Sequence, residues 1–555
     1  MEMISHTPVL IVGAGPVGLA LAGDLAWRGI RSLIVERTDG AITQPKMDLI
    51  APRTMEFCRR WGLEAAVRDC PYNPDHPQDN VWLESFTGYE FGREPFPSPR
   101  EEAPPPQSPV KRERCPQDMF DPILRRWVES MPQPTLRYHT ELLRFEQRED
   151  RVVATLRNAA GAEETVEAEF LVGADGGAST VRQALGIEMT GQPTLTYTTN
   201  AIFRCRNFWD LHDKRKGYRY IFIGPEGTWS TIVAIDGYAR FRFSVVGDAN
   251  RRTLSEAEIR TLILRAMGKD FDFEVLSIVP WIRRELVADS YGRGRVFIAG
   301  DAAHLNSPTG AFGMNTGMQD AVDLGWKLAA VLDGWGGPAL LSSYEPERRP
   351  VALHNIREAT ANLQRMISPR QHLSPLVFQP GAEGDAARKA FGDAYTAMMK
   401  HEWYTLPVHL GYRYEDSPII CPDGTSPPND PPMVYTQTAR PGSRAPHVWL
   451  SKDRSTLDLF GRGFVLLRFD PGVETALLET SAQQCRVPLR VVDLDHDEAR
   501  RLYARRLVLV RPDGFVAWRG DALPRDAESL VATVIGGPVA TRAPVAASEH
   551  DAGAR

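Results

Sequence analysis

Residues 9–37 read VLIVGAGPVGLALAGDLAWRGIRSLIVER, and this stretch decides the fold. Val9 to Val12 is a short apolar, β-branched run suited to a strand buried on both faces. Gly13-x-Gly15-x-x-Gly18 follows. Then come Leu19, Leu21, Ala22, Leu25 and Ala26, the pattern of a helix packed on a sheet. A second strand, Arg31 to Val35, ends in Glu36. Each residue type has a task. Gly13 permits the tight turn, Gly15 lets the backbone approach a diphosphate, and Gly18 allows close helix–strand contact. The helix amino terminus offers free N–H groups to that diphosphate. Glu36 lies 18 residues after Gly18, where a carboxylate accepts from a ribose 2′-hydroxyl and repels a 2′-phosphate. The nucleotide held here should therefore be FAD or NAD, not NADP. Gly13, Gly15, Pro16, Gly18, Glu36 and Arg37 are its candidate contacts.

Composition sets the frame around this motif. The chain has 555 residues, a prior of three to four domains at about 150 residues each. Hydrophobic residues make up 43% and charged residues 25%, enough for a large core and unlike a disordered or fibrous chain. The net charge of -6 lacks the basic excess that a nucleic-acid or membrane-surface partner would call for. No run of roughly 18 apolar residues is present, and no signal peptide is expected at Met1 to Pro8. The six cysteines are scattered and form no CxxC or zinc-spaced cluster. A reducing, cytoplasmic setting without a metal site is the expectation.

Two later segments repeat the form strand, Gly/Asp turn, helix. One is FLVGADGGASTVR, carrying Asp175, Gly176 and Arg182. The other begins RVFIAGDAAH at Arg295 and runs on through Pro308, Gly310, Gly313, Met314 and Asn315 to Asp320. Asp301 ends the strand Val296 to Ala299, where open α/β sheets place ligands, and can hold a ribityl hydroxyl. The glycines of Pro308 to Asn315 let backbone approach a flat ring. The helix Met314 to Val331 then points its amino terminus there, favouring negative charge on a reduced flavin. A second GxGxxG is absent.

With these three segments in order, the chain resembles the single-component, FAD-dependent aromatic hydroxylases (group A flavoprotein monooxygenases) of the para-hydroxybenzoate hydroxylase fold. The resemblance covers roughly residues 8 to 350. It implies an α/β fold with a Rossmann-like FAD-binding domain (1–75, 110–189 and 285–400). An antiparallel-sheet substrate domain (76–109 and 190–284) is interleaved with it. The resemblance gives Gln117 a contact to the flavin-side sugar chain, and Gly313 and Asn315 places beside the isoalloxazine ring. Lys46 stands where the family often carries an arginine, keeping the charge but losing the bidentate fork. Asp48 matches an active-site aspartate of phenol hydroxylases and is the candidate catalytic base, although an aspartate before the Pro52–Glu56 helix start also suits a cap. His304 is read as structural.

The resemblance also implies the chemistry. NADPH or NADH reduces FAD and leaves. Reduced flavin traps O₂ as a C4a-hydroperoxide, which hydroxylates an electron-rich phenolic ring. Alternating apolar residues at 218–222, 229–233 and 240–245 suggest the antiparallel sheet that would shape the pocket. Tyr218, Tyr220, Arg242 and His212 are its substrate-side candidates. Residues 71–116 should add a strand or two plus a proline-rich loop. Helical spacing dominates 350–399, and Tyr344 to Pro350 reads as a turn before it. After a linker at 401–434, residues 435–540 resemble the thioredoxin-like domain appended to many phenol and polyketide hydroxylases. Without a CxxC it cannot exchange dithiols, so a structural or dimer-supporting role is expected, and the protein is expected to be a homodimer. A tail at 541–555 is read as disordered. The alternatives are a polyketide hydroxylase, an epoxidase or a Baeyer–Villiger oxygenase. From other classes come a flavin-free NAD dehydrogenase and a non-catalytic FAD-binding protein.

Overall fold

The computed structural model describes residues 5–248, 253–369 and 373–537. The tail expected at 541–555 lies outside them.

Ser5–Val12 is the central strand, parallel to Ser32–Val35 on one side and to Glu163–Gly173 on the other. Val9, Leu10 and Ile11 are wholly buried, as a strand with both faces covered requires. Val296–Ile298 and Pro134–Arg137 extend this sheet outward, and Glu141–Gln147 and Val152–Arg157 join it as an antiparallel branch. The helix Pro16–Trp27 packs on the long helix Phe312–Leu332, and both share the largest hydrophobic core.

A second eight-stranded sheet is built mainly from 189–288. Met189–Arg204 and Glu274–Ala288 form its long antiparallel pair, followed by Arg240–Asp248, Gly227–Ala234 and Arg219–Gly224. Asn80–Leu83 and Glu90–Glu94 complete one edge. Asn80–Leu83 runs parallel to Arg219–Gly224, so the sheet is not purely antiparallel.

Two expectations need correcting. Tyr344 to Pro350 is not a turn but the start of the helix Tyr344–Ile367, with Pro350 inside it. Buried ion pairs of Glu347 and Arg348 hold this segment against the helix Phe312–Leu332, enough to tolerate the missing proline N–H. The stretch 401–434 is not all loop: Leu406–Leu410 is a short helix. Beyond it, Phe464–Arg468, Leu489–Asp493, Leu507–Val510 and Val516–Gly520 form a separate four-stranded sheet. No helix among the described residues is long and apolar enough to cross a membrane.

Candidate active site

A cavity of about 800 Å³ is lined from both large sheets. At one end lie Gly13, Gly15, Pro16, Glu36 and Arg37. Gly13 has φ +104°, and a Cβ there would sit 2.4 Å from the Ala174 carbonyl oxygen. A Cβ on Gly18 would sit 2.0 Å from the Gly13 carbonyl oxygen, so Gly18 serves helix–strand contact and does not itself line the cavity. A Cβ on Gly15 would meet nothing within 4 Å. This is a cradle that any side chain would fill. The Glu36 carboxylate accepts from the Ala14 amide at 3.1 Å and the Thr38 hydroxyl at 2.8 Å, which fixes it at the wall.

Several buried acceptors face this space. Asp175 Oδ2 accepts from the Val181 amide, while its buried Oδ1 has no partner among the described residues. Asp121 was not anticipated. Its Oδ2 accepts from Gln117 Nε2 at 3.1 Å, its Oδ1 is likewise unpartnered, and burial pushes its carboxyl up to about 7. Gln117 Oε1 accepts from the Lys46 amide, so Gln117 ties two wall segments together. The Lys46 ammonium lies 5.8 Å from the Trp281 ring centroid. Asp301 completes the acidic lining. An open glycine cradle with unpaired acceptors suits the diphosphate and the many hydroxyl donors of FAD.

Pro308, Gly310, Gly313 and Met314 line the middle of the cavity at the start of the helix Phe312–Leu332. Ala311 caps that helix at φ +57°, a conformation costly for a residue with a Cβ and typical of functional sites. Asn315 does not line the cavity. Its side chain accepts from the Ala51 amide and the Thr54 hydroxyl and donates to the Leu49 and Ala311 carbonyls, using its whole capacity within the protein. Arg182 also turns away, donating to the Gly177 and Ala302 carbonyls and so clamping the two Gly/Asp turns together. Gly300 lies behind the wall, where its amide donates to Asp320. Asp320 also takes His304 at 2.8 Å and Arg348 at 2.8 Å, so His304 is a buried structural partner.

Asp48 sits on the wall near the second sheet, 7% exposed. It accepts from the Tyr218 hydroxyl at 2.6 Å, Arg114 at 3.2 Å and Arg242 at 3.4 Å. The Arg114 guanidinium lies 3.5 Å from the Tyr218 ring centroid. Burial raises the Asp48 carboxyl, but Arg114, Arg242 and the Tyr218 hydrogen bond outweigh it and leave it below the ordinary carboxylate range. Such a group stays ionised and hydrogen-bonded to the Tyr218 hydroxyl. Burial, ahead of every other influence, raises the Tyr218 hydroxyl.

Tyr220 faces the other way, packing on Phe86 with its hydroxyl donating to the Arg215 carbonyl. The Tyr218 and Arg219 amides both donate to the Asp79 carbonyl. That local irregularity breaks the alternation and puts Tyr218 and Tyr220 on opposite faces. His212 stacks on Phe86 in the same remote cluster, and burial lowers it to about 4.

Comparison with known proteins agrees with this site. The "FAD binding domain" family model matches residues 6–359, and the "Aromatic-ring hydroxylase, C-terminal" model matches 438–538. The FAD-dependent monooxygenase apdD of Emericella nidulans is 33% identical over 96% of this chain and 91% of its own. A putative polyketide hydroxylase of Streptomyces halstedii is 34% identical over 93% and 94%. A structure described as chromopyrrolic acid-soaked RebC with bound 7-carboxy-K252c superposes with a TM-score of 0.90 at 40% identity, covering 96% of this chain and 99% of that one. The chain belongs to the FAD-dependent aromatic-ring monooxygenases.

As a member of that family the monooxygenase uses FAD, with NAD(P)H as co-substrate. Sequence reading missed Asp121, Arg114, Arg219, Arg283 and Glu402, which all line the cavity. Asp121 had a signal, its i,i+4 spacing from Gln117 on one helix face. The others come from strand and helix positions that only tertiary packing brings together.

Proposed function

We propose that this monooxygenase hydroxylates a phenolic ring seated against the Asp48–Tyr218 pair. The observation that carries the reading is the buried 2.6 Å hydrogen bond of that pair between two guanidinium groups. Arg114 and Arg242 outnumber Asp48, so the wall favours the electron-rich phenolate over the phenol. Tyr218 can donate to the phenol oxygen or pass its proton toward Asp48 as that oxygen's charge changes. Gly15 would admit the diphosphate of FAD, Glu36 would take ribose hydroxyls, and the amino terminus of Phe312–Leu332 would favour negative charge on the flavin. FAD, when bound, supplies hydride acceptance and oxygen activation. The enclosing sheets keep water from the reacting ring.

A multi-ring, polyketide-like substrate is the second reading. The cavity reaches past the Gly310–Met314 loop to Phe96, Trp403 and Thr405, and a related chain is described as a polyketide hydroxylase. We also infer a thioredoxin-like unit at 435–540, supported by the β-α-β-α-β-β-α order of residues 464–534, in which Phe464–Arg468 runs parallel to Leu489–Asp493 and antiparallel to Leu507–Val510. A homodimer and a cytoplasmic location complete the proposal. Light scattering and cell fractionation test these.

The function is tested by incubating FAD-loaded protein and NADH or NADPH with single-ring and multi-ring phenols. Nicotinamide oxidation coupled to a product one oxygen heavier is expected. Nicotinamide oxidation yielding only hydrogen peroxide with every phenol would overturn the reading.

A further inference from the structure

Cys70 and Cys115 lie behind the cavity wall, and neither takes part in the site described above. Cys70 follows the short helix Glu64–Arg68, which packs against the two-residue strand Glu113–Arg114. Cys115 comes directly after that strand, and its amide donates to the Asp48 carbonyl at 3.0 Å. Both side chains belong to the largest hydrophobic core, Cys115 wholly buried and Cys70 8% exposed.

Their thiols form a relay. The Cys115 thiol donates to the Cys70 sulfur, and the Cys70 thiol donates to the Arg114 carbonyl at 3.2 Å. The bond between the two thiols, ahead of burial, lowers Cys70 and raises Cys115. The pair thus divides into a more acidic sulfur with an exposed edge and a sealed, protonated one in contact with it. An oxidant-sensitive pair needs this division, one thiolate to meet the oxidant and a second thiol to resolve the product. Cys58 is also wholly buried in this core, but burial raises its thiol.

The chain between the two cysteines is the excursion into the second sheet. It forms the strands Asn80–Leu83 and Glu90–Glu94 and supplies Gln78, Asn80, Phe96, Arg112 and Arg114 to the cavity. A bond from Cys70 to Cys115 closes this excursion at its base. Closing a long loop removes entropy from the unfolded chain.

We propose that Cys70 and Cys115 are a redox modification site, which hydrogen peroxide converts to a reversible disulfide that staples this excursion. Reduced flavin and O₂ yield peroxide when no ring is oxygenated, so the oxidant is a by-product of the cofactor's own chemistry. The Cys70 thiolate attacks one peroxide oxygen; the O–O bond breaks, and with the thiol proton one water leaves behind a sulfenic acid. The Cys115 sulfur then attacks the sulfenic sulfur. The S–S bond forms, the S–O bond breaks, and the hydroxyl leaves with the Cys115 proton as a second water. Two thiols and one peroxide give one disulfide and two waters, with two electrons passing from sulfur to oxygen. The inference does not depend on the phenolic substrate reading.

The test treats FAD-loaded protein with hydrogen peroxide, stops the reaction with catalase, then denatures and alkylates with iodoacetamide for peptide mass spectrometry. The expected result is a cross-linked Cys70–Cys115 peptide pair two hydrogens lighter than the reduced peptides. Alkylation should be lost at both positions together and return with dithiothreitol, while Cys58 stays alkylated throughout. The linked protein should melt at a higher temperature than the same sample after dithiothreitol. In Cys70→Ser, Cys115 should remain a free thiol under the same treatment.

Two thiols that both stay free in the wild type overturn the proposal. So does a link from Cys115 to Cys58, or conversion of Cys70 to a sulfinic acid with Cys115 unlinked. A Cys70–Cys115 link that leaves the melting temperature unchanged, or lowers it, refutes the staple. Each of these outcomes is read from the wild type, so a Cys70→Ser chain that fails to fold leaves the test intact.

Discussion

Glu56 joins the catalytic region to the carboxyl-terminal sheet. It lies on the helix Pro52–Arg60, just after the Asp48 segment, and its side chain is 4% exposed. It accepts from Arg53 at 2.8 Å, Ser108 at 2.7 Å and Arg444 Nε at 3.0 Å, with a second close bond from Arg444. Arg53 also donates to the Asp513 carbonyl at 2.8 Å. Burial alone would raise this carboxyl, but Arg444 and Arg53 overcome it and bring it from 4.5 to about 2. At about 1.4 kcal/mol per tenfold change in proton affinity, that contributes roughly 3 kcal/mol of stability. A carboxyl held low in the folded state contributes fully above its unfolded value, and the contribution fades as pH falls toward the folded one. About 1 kcal/mol should be gone by pH 4 and about 2 kcal/mol by pH 3. Glu56→Gln cannot ionise, and it leaves two buried guanidinium groups without a counter-charge. Urea unfolding with saturating FAD, followed by tryptophan fluorescence, should place the variant roughly 3 kcal/mol below the wild type at pH 6.5. The gap should shrink toward pH 3. A gap that does not change with pH, or stays under about 1 kcal/mol at pH 6.5, would refute the reasoning.

Four further outcomes are expected. Gly15→Val should leave the apoprotein's thermal midpoint near that of the wild type while raising the FAD Kd at least a hundredfold, because its side chain enters open cavity. Gly18→Ala should instead lower the midpoint, since its Cβ meets the Gly13 carbonyl at 2.0 Å; equal behaviour of the two would contradict the division of roles. Asp320→Asn should raise the FAD Kd about tenfold, roughly 1.4 kcal/mol, by loosening the turn of Gly300 and Asp301, and a fluorescence titration showing no change would remove Asp320 from that task. Tyr218→Phe should cut the hydroxylation rate by roughly a hundredfold while FAD stays bound, within the usual range for a lost proton-transfer group, and full coupled turnover would discharge Tyr218.

The dinucleotide end of the site was legible because its requirements are local. Gly13, Gly15 and Gly18 each answer a backbone demand within one strand–turn–helix unit, and Glu36 ends the neighbouring strand at the needed height. Spacing along the chain is enough to place such residues. Asn315 and Arg182 carried the right motif context, yet the direction of a side chain depends on what packs against it. Asn315 meets Leu49 and Thr54 from a distant segment, and Arg182 meets Ala302. Tyr220 was misplaced because the alternation rule fails where two amides share the Asp79 carbonyl.

The sequence by itself determined the nucleotide fold and the family, since both rest on short-range backbone geometry and residue type. Only the tertiary structure decided the charge of the substrate wall. Asp48, Arg114, Tyr218, Arg242 and Arg283 come from separate strands and loops, and pairing between buried charges depends on distances of a few ångströms that no spacing along the chain encodes. Asp48 is consequently a carboxylate shared between Arg114, Arg242 and the Tyr218 hydroxyl.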